Sequence, residues 1–423
     1  MSFAISESVN KPLWFFIVLL PFLTFISKAS GDIYLSLTAI FFIVYSIKHK
    51  NFEYLQWGWV KAIFVFWLFA MVSAWFTPFP KDAFIQSLIY IRWPLAAMAL
   101  VFYVFNQSER LLLFEKAAAV FLFFIVMDGI LQMVTGTDIL GHPIIEGSRM
   151  TGFFSKRVLG VYSFKLFFFY FLVVYISIPK TIRNIFIMTL IIVLFDIFLL
   201  FTGERIVFLL GVFFLIFWSV TIFLTVPSLR KLLYVSLLTV LVLFTVLIIF
   251  NHAILVKRAM PFIEALKNFS STTYSDIFNS AYQLWQTSPL VGVGTRMYNE
   301  VCVAKLGYPE DEALFEQVSG LCVRHPHNIY LELLAQNGIL GLILFMVVLY
   351  SIFRIIAAKQ LWKIDPLLTT IISGSVIVIF WPLASSMSIF ANNYAGAVWL
   401  TIAWAIARSR IMLIHNTHSE GKK

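Results

Sequence analysis

The stretch VRHPHNIYLELLAQNGILGL, Val323 to Leu342, sets Arg324, His325 and His327 directly before a long apolar run. A helix beginning near Asn328 turns its unsatisfied N–H groups and the positive end of its dipole toward those side chains. Anions collect at such an end. The same field, reinforced by Arg324, disfavours imidazolium, so His327 is expected to stay neutral and able to accept a proton, the condition for a general base. Three other readings stand beside this one: a plain polar residue at a helix end, a metal-binding pair of His325 and His327, and contact with lipid headgroups. A metal site wants three or four ligands, and the local sequence supplies no carboxylate or thiolate set to complete one.

A second candidate lies in LLFTGERIVFLLG, where Arg205 occupies a hairpin of a few residues between two apolar runs. Its guanidinium must snorkel to the interface, pair with Glu204 or point into a shared cavity. A planar fork of donors suits phosphate oxygens, which makes diphosphate binding the chemistry of interest. Arg149 and Arg157, in EGSRMTGFFSKRVLG, and Arg258, Arg296 and Arg324, in the segment 252–326, are further candidates for the same polyanion. A solvated cluster against lipid headgroups is the alternative for Arg149 and Arg157.

The elements that must hold these residues follow from composition. Of 423 residues, 61% are hydrophobic and 12% charged, and the mean hydropathy is +0.91. Apolar runs long enough to cross a bilayer as helices recur along almost the whole chain, which defines a polytopic helical membrane protein. The net charge of +10 is scattered in twos and threes between those runs, which fits membrane orientation and not nucleic-acid binding. The polar N-terminus, MSFAISESVNK, lacks the pattern of a signal peptide, so the first run is expected to be a structural span.

The runs predict about twelve spans, with cores near 12–28, 31–47, 60–76, 84–105, 117–134, 159–178, 185–201, 206–226, 232–251, 328–353, 366–384 and 396–413. The connections after the even-numbered spans carry Lys48, Lys50, Arg110, Lys116, Lys180, Arg183, Arg230, Lys231, Arg354, Lys359 and Lys363, and the tail carries Arg408 and Arg410. That excess marks the cytoplasmic face and puts both termini inside. The chain is thus divided into spans one to nine (1–251), an outer loop domain (252–327), and spans ten to twelve with a short cytoplasmic tail (328–423). Within the loop, YSDIFNSAYQLWQT predicts an amphipathic helix suited to the membrane surface. Gly292 and Gly294 then permit a tight turn or a close approach to a ligand. Cys302 and Cys322, about 20 residues apart, would close a disulfide if the loop faces an oxidising compartment; two unpaired thiols are the alternative.

HPHNIYLELLAQNGILGL resembles the signature of the O-antigen ligase and polymerase superfamily, a histidine–asparagine pair opening a transmembrane helix with a downstream glycine pair, here Gly338 and Gly341. RMTGFFSKRVLG, TGER and SPLVGVGTRMY are similar in order and placement. The resemblance covers roughly residues 145–345. It implies a GT-C-like, all-α integral membrane protein with a large, partly helical periplasmic loop in the bacterial inner membrane. It also implies a glycosyltransferase needing no metal or other cofactor. Such an enzyme moves a glycan from an undecaprenyl-diphosphate carrier to lipid A-core, in a ligase, or to another glycan, in a polymerase; a protein hydroxyl is a third acceptor class. Carried over, the family's histidine falls on His327 and its hairpin arginine on Arg205, with His325, Asn328, Gly292 and Gly294 in support. Two departures matter: Tyr274 stands where many members have an arginine, and Gln336 stands where many have a glutamate. A transporter of lipid-linked glycans is the competing class, and Asp128 and Asp196, apparently inside spans, are its main support.

Overall fold

The computed structural model describes residues 11–144, 149–154, 157–230, 267–306, 322–384 and 386–420. Among them the regular structure is helical: α1 (Lys11–Ile26), α2 (Lys28–Lys48), α3 (Gly58–Ala74), α4 (Pro80–Tyr90), α5 (Arg92–Ala99), α6 (Ser108–Thr135), α7 (Leu159–Ser177), α8 (Ile182–Thr202), α9 (Arg205–Thr225), α10 (Thr273–Thr287), α11 (Tyr298–Leu306), α12 (Ile329–Ile356), α13 (Lys359–Ile364), α14 (Pro366–Ile377) and α15 (Asn392–Glu420). Among the described residues, eight stretches are long and apolar enough to cross a membrane, and α1, α3 and α14 are shorter apolar helices. The expected span 232–251 and Arg258 lie outside the described residues.

The boundaries differ from the sequence pattern where polar groups find partners. The run 84–105 falls within one apolar stretch, Pro80–Val104, which is divided into α4 and α5 at Ile91, where Pro94 has no N–H for the carbonyl one turn back. α6 begins before the expected 117, since the polar Glu115 inside it is fully buried and accepts from Trp404 Nε1 at 2.7 Å and Arg408 Nε at 3.0 Å. Arg408 is therefore a buried structural cation tying α15 to α6, and its charge carries no information about orientation. α7 and α15 are the central posts, with 78% and 83% of their apolar windows enclosed. Stacked rings, such as Phe167 on Phe195 at 4.2 Å, pack α7 against α8.

The decisive feature is a break in α12. Gly338 has φ +66° and ψ −174° and interrupts the helix. A break inside an apolar layer leaves backbone groups without partners, each costing several kcal/mol if unmet. The Pro289–Gly294 loop supplies those partners. Val293 N donates to Ala335 O at 2.9 Å, Gly294 N to Gln336 O at 2.8 Å, and Ile339 N to Pro289 O at 2.9 Å. Contact is backbone to backbone: a Cβ on Gly338 would sit 2.3 Å from Leu290 C, and one on Gly292, at φ +74°, 2.3 Å from Gln336 C. The glycine turn therefore serves as a plug in a broken helix.

The same docking seats the outer loop. α10 turns Ala281 and Leu284 toward Tyr298, Val301 and the Cys302–Cys322 disulfide, in a small core that also takes Ala74, Ala83 and Ala335 from the bundle. Ala281 and Leu284 of α10 are buried in this core, while Tyr274 and Tyr282 stay exposed. Gly338→Ala or Gly292→Ala is expected to lower stability by more than about 2 kcal/mol, read as a fall in melting temperature of the detergent-solubilised protein. Gly58→Ala, where an added Cβ meets nothing within 4 Å, should leave it unchanged.

Candidate functional site

The starts of α7 and α9 adjoin through Glu204, and the segment before α15 adjoins the first turn of α12 through Glu332. His327 stands one residue before the Asn328 cap, whose Oδ1 accepts from Tyr330 N at 3.0 Å and Leu331 N at 3.1 Å and whose Nδ2 donates to Pro382 O at 2.7 Å. His327 holds φ +53°, a left-handed conformation that costs a non-glycine residue about 1–2 kcal/mol and persists only where the surroundings enforce it. Its carbonyl accepts from Ser386 N at 2.7 Å. Its ring centroid lies 4.4 Å from that of His325 and 6.1 Å from that of Tyr274. Tyr274 thus brings a ring to the position where the resemblance led one to look for an arginine.

Burial pushes His327 below its ordinary value, against the backbone of Ser386. His325 is pushed down to about 4 by burial and then by His327, and its Nε2 has no hydrogen-bond partner. Desolvation is the largest cause for both rings, and Arg324 is exposed. Among the described residues no third histidine, cysteine, aspartate or glutamate joins the pair as a metal ligand.

The second group surrounds the α8–α9 hairpin. Glu204 does not pair with Arg205; its carboxylate caps α7, accepting from Gly160 N at 2.7 Å and Val161 N at 3.2 Å. Arg205 opens α9 with an exposed side chain. Arg149 is exposed too, and its charge acts on Glu204. Arg157 is exposed at the loop's far end. Met150 N donates to Thr202 O at 3.2 Å, fastening that loop to the hairpin. Behind Glu204, the buried Lys165 holds its Nζ 4.7 Å from the centre of the Tyr394 ring.

α15 and the segment before it connect the two groups. Ser388 and Ile389 meet Glu332 of α12, and Tyr394, two residues past Asn392, meets Lys165 of α7. Arg296 belongs to neither group. It sits at φ +61° with its N–H on Gln336 Oε1, and its Nη1 reaches Gln86 at 3.1 Å and Asn392 at 3.5 Å. Asn392 in turn holds Asp32, the 3.0 Å partner of Arg92. The arginines read from the sequence are therefore divided: Arg205 and Arg149 at the hairpin, Arg296 beside Arg92, and Arg324 exposed near the histidines.

The residues that sequence reasoning missed are Glu332, Lys165 and the Arg92–Asp32 pair, although charged residues inside apolar runs were a usable signal. The two carboxylates it did weigh separate. Asp128 accepts from Ile139 N at 2.8 Å and Phe153 N at 2.6 Å, organising the adjoining loop. Asp196 is buried against Gly211 with neither oxygen hydrogen-bonded.

These features define a helical, multi-pass membrane protein with a histidine pair just before α12 and arginines at the start of α9 and in the loop before α7. Residues 188–346 match the family model described as O-Antigen ligase, which supports the O-antigen ligase-like superfamily for this chain. Arg205, the glycine plug, His327 and the break at Gly338 all fall within the match. Members of that family are glycosyltransferase-like enzymes. No curated protein matches the chain.

Burial pushes Glu204 up to about 7 from 4.5, against its two amide hydrogen bonds and the nearby cations. The folded state then holds this proton more tightly than the unfolded one, so its contribution is full below pH 4.5 and is lost as pH rises through 7. The melting temperature is expected to fall between pH 5 and pH 8, and E204Q, which keeps an accepting oxygen, should flatten that part of the profile.

Proposed function

We propose that the protein is an O-antigen ligase, a glycosyltransferase that moves a glycan from undecaprenyl diphosphate to a sugar hydroxyl of lipid A-core. The observation that carries this reading is the left-handed, half-buried His327 beside the Asn328 cap of α12, in a chain whose α8–α9 hairpin presents the exposed Arg205. The acceptor oxygen attacks the anomeric carbon as the bond to the diphosphate oxygen breaks, and the acceptor proton passes to the free ring nitrogen of His327. Charge gathering on the departing diphosphate is met by Arg205, with Arg149 next to it, which is electrostatic stabilisation at the leaving group. One-step displacement inverts the anomeric centre, and the guanidinium fork does the work for which a metal would otherwise be recruited.

In this reading the chain is a twelve-span, GT-C-like protein of the bacterial inner membrane with both termini cytoplasmic and the site at the periplasmic face. The connections rich in lysine and arginine support that orientation. The carrier's polyprenyl tail lies among the membrane lipids beside the bundle. Arg157 and Arg324, both exposed, add positive charge on the side of the donor. A lipid-linked glycan polymerase is the second reading, favoured by the same residues, and the acceptor alone separates the two.

Purified protein incubated with a polyprenyl-diphosphate glycan and lipid A-core should cap the core; lengthening of the lipid-linked chain with donor alone would instead indicate the polymerase. H327A should lose transfer by at least about 100-fold while inserting and folding normally, and retained transfer in reconstituted membranes would reject the base. R205K keeps charge but loses the fork, so donor binding should weaken. Because His327 is held below 6.5, the rate should be sustained as pH falls to that value and decline only beneath it.

A further inference from the structure

The strongest unused group is Glu332, a carboxylate 1% exposed in the first turn of α12, where an apolar side chain would serve packing as well. Both of its oxygens are engaged. Oε1 accepts from Ser388 Oγ and from Gln336 Nε2 at 3.2 Å, and Oε2 accepts from Ile389 N at 3.0 Å. Two residues upstream of Ser388, Ser386 donates its N–H to His327 O at 2.7 Å, and its backbone faces the imidazoles of His325 and His327. The segment 386–389 therefore stands against His327 at one end and is clamped by Glu332 at the other.

We propose that Glu332 is a positioning residue for His327, acting through Ser388 and Ile389 on the Ser386 backbone. The role rests on the reading of His327 as the base. Glu332 lies on α12 itself, one turn below the histidine, so it ties the irregular strap after α14 to the helix that carries the base. Gln336 extends the tie: its Nε2 donates to Glu332 and its Oε1 accepts from Arg296 N. The plug loop, the base-bearing helix and the strap are thus joined at one buried carboxylate.

The test is steady-state kinetics of the full-length protein in detergent or nanodiscs with a labelled polyprenyl-diphosphate glycan and lipid A-core, alongside melting temperatures. E332A should lower kcat by about tenfold or more with the donor KM within about twofold. E332Q retains an oxygen that can accept from Ser388 or Ile389 and should recover part of the loss. S388A should lower kcat less than E332A, and E332Q/S388A should fall short of the product of the single effects, because both act on one strap. Wild-type kcat in a folded E332A would overturn the proposal, as would a raised donor KM at unchanged kcat. If E332A does not fold, S388A and E332Q decide, and full turnover in both overturns it. H327A run in parallel separates the two failures: an active H327A sinks the base, whereas an inactive H327A beside a fully active E332A sinks only the positioning role.

Discussion

The architecture depends on a helix that is broken inside the apolar layer and completed by another part of the chain. A backbone amide or carbonyl stripped of water needs a partner, and an interrupted helix cannot supply its own. At Gly338 those partners come from the Pro289–Gly294 loop, and only glycine at 292 and 338 lets two backbones approach that closely. The consequence reaches beyond the break. The plug fixes where the outer segment enters the bundle, and with it the packing of α10, the disulfide between Cys302 and Cys322, and the place of Arg296.

Charge is distributed with the same economy. Glu115 and Arg408 meet in the core and fasten α6 to α15, while Lys180 and Asp365 pair near the end of α7. Such pairs have to be completed because a lone buried charge is costly. At the other end of the helices the balance shifts. Glu204 is engaged with backbone amides, so Arg205 and Arg149 keep their heads toward solvent without a carboxylate of their own. A site with cations to spare on one side and a neutral, desolvated imidazole on the other is suited to a substrate that brings negative charge and a hydroxyl proton.

Position 274 departs from the family pattern that the sequence resembles. Its ring stands beside His327, so the place that the resemblance reserves for a second cation is here an aromatic wall. Position 336 departs in the same way. Gln336 bridges Arg296 N and Glu332, and the carboxylate sits one helical turn earlier. Glu332 and Gln336, one turn apart, share a face of α12.

The sequence alone determined the membrane class, most of the helix positions and the helix start at Asn328. These are legible because hydropathy, capping and charge act over a few neighbouring residues. Only the tertiary structure decided that Gly292 and Gly294 plug a helix, that Arg408 is a buried partner of Glu115, that Glu204 caps α7 instead of pairing with Arg205, and that Arg296 stands apart from the hairpin. Each of those outcomes joins groups far apart in the chain through backbone hydrogen bonds or desolvated charge. Their partners are set by how helices pack, and no local pattern of residues records that.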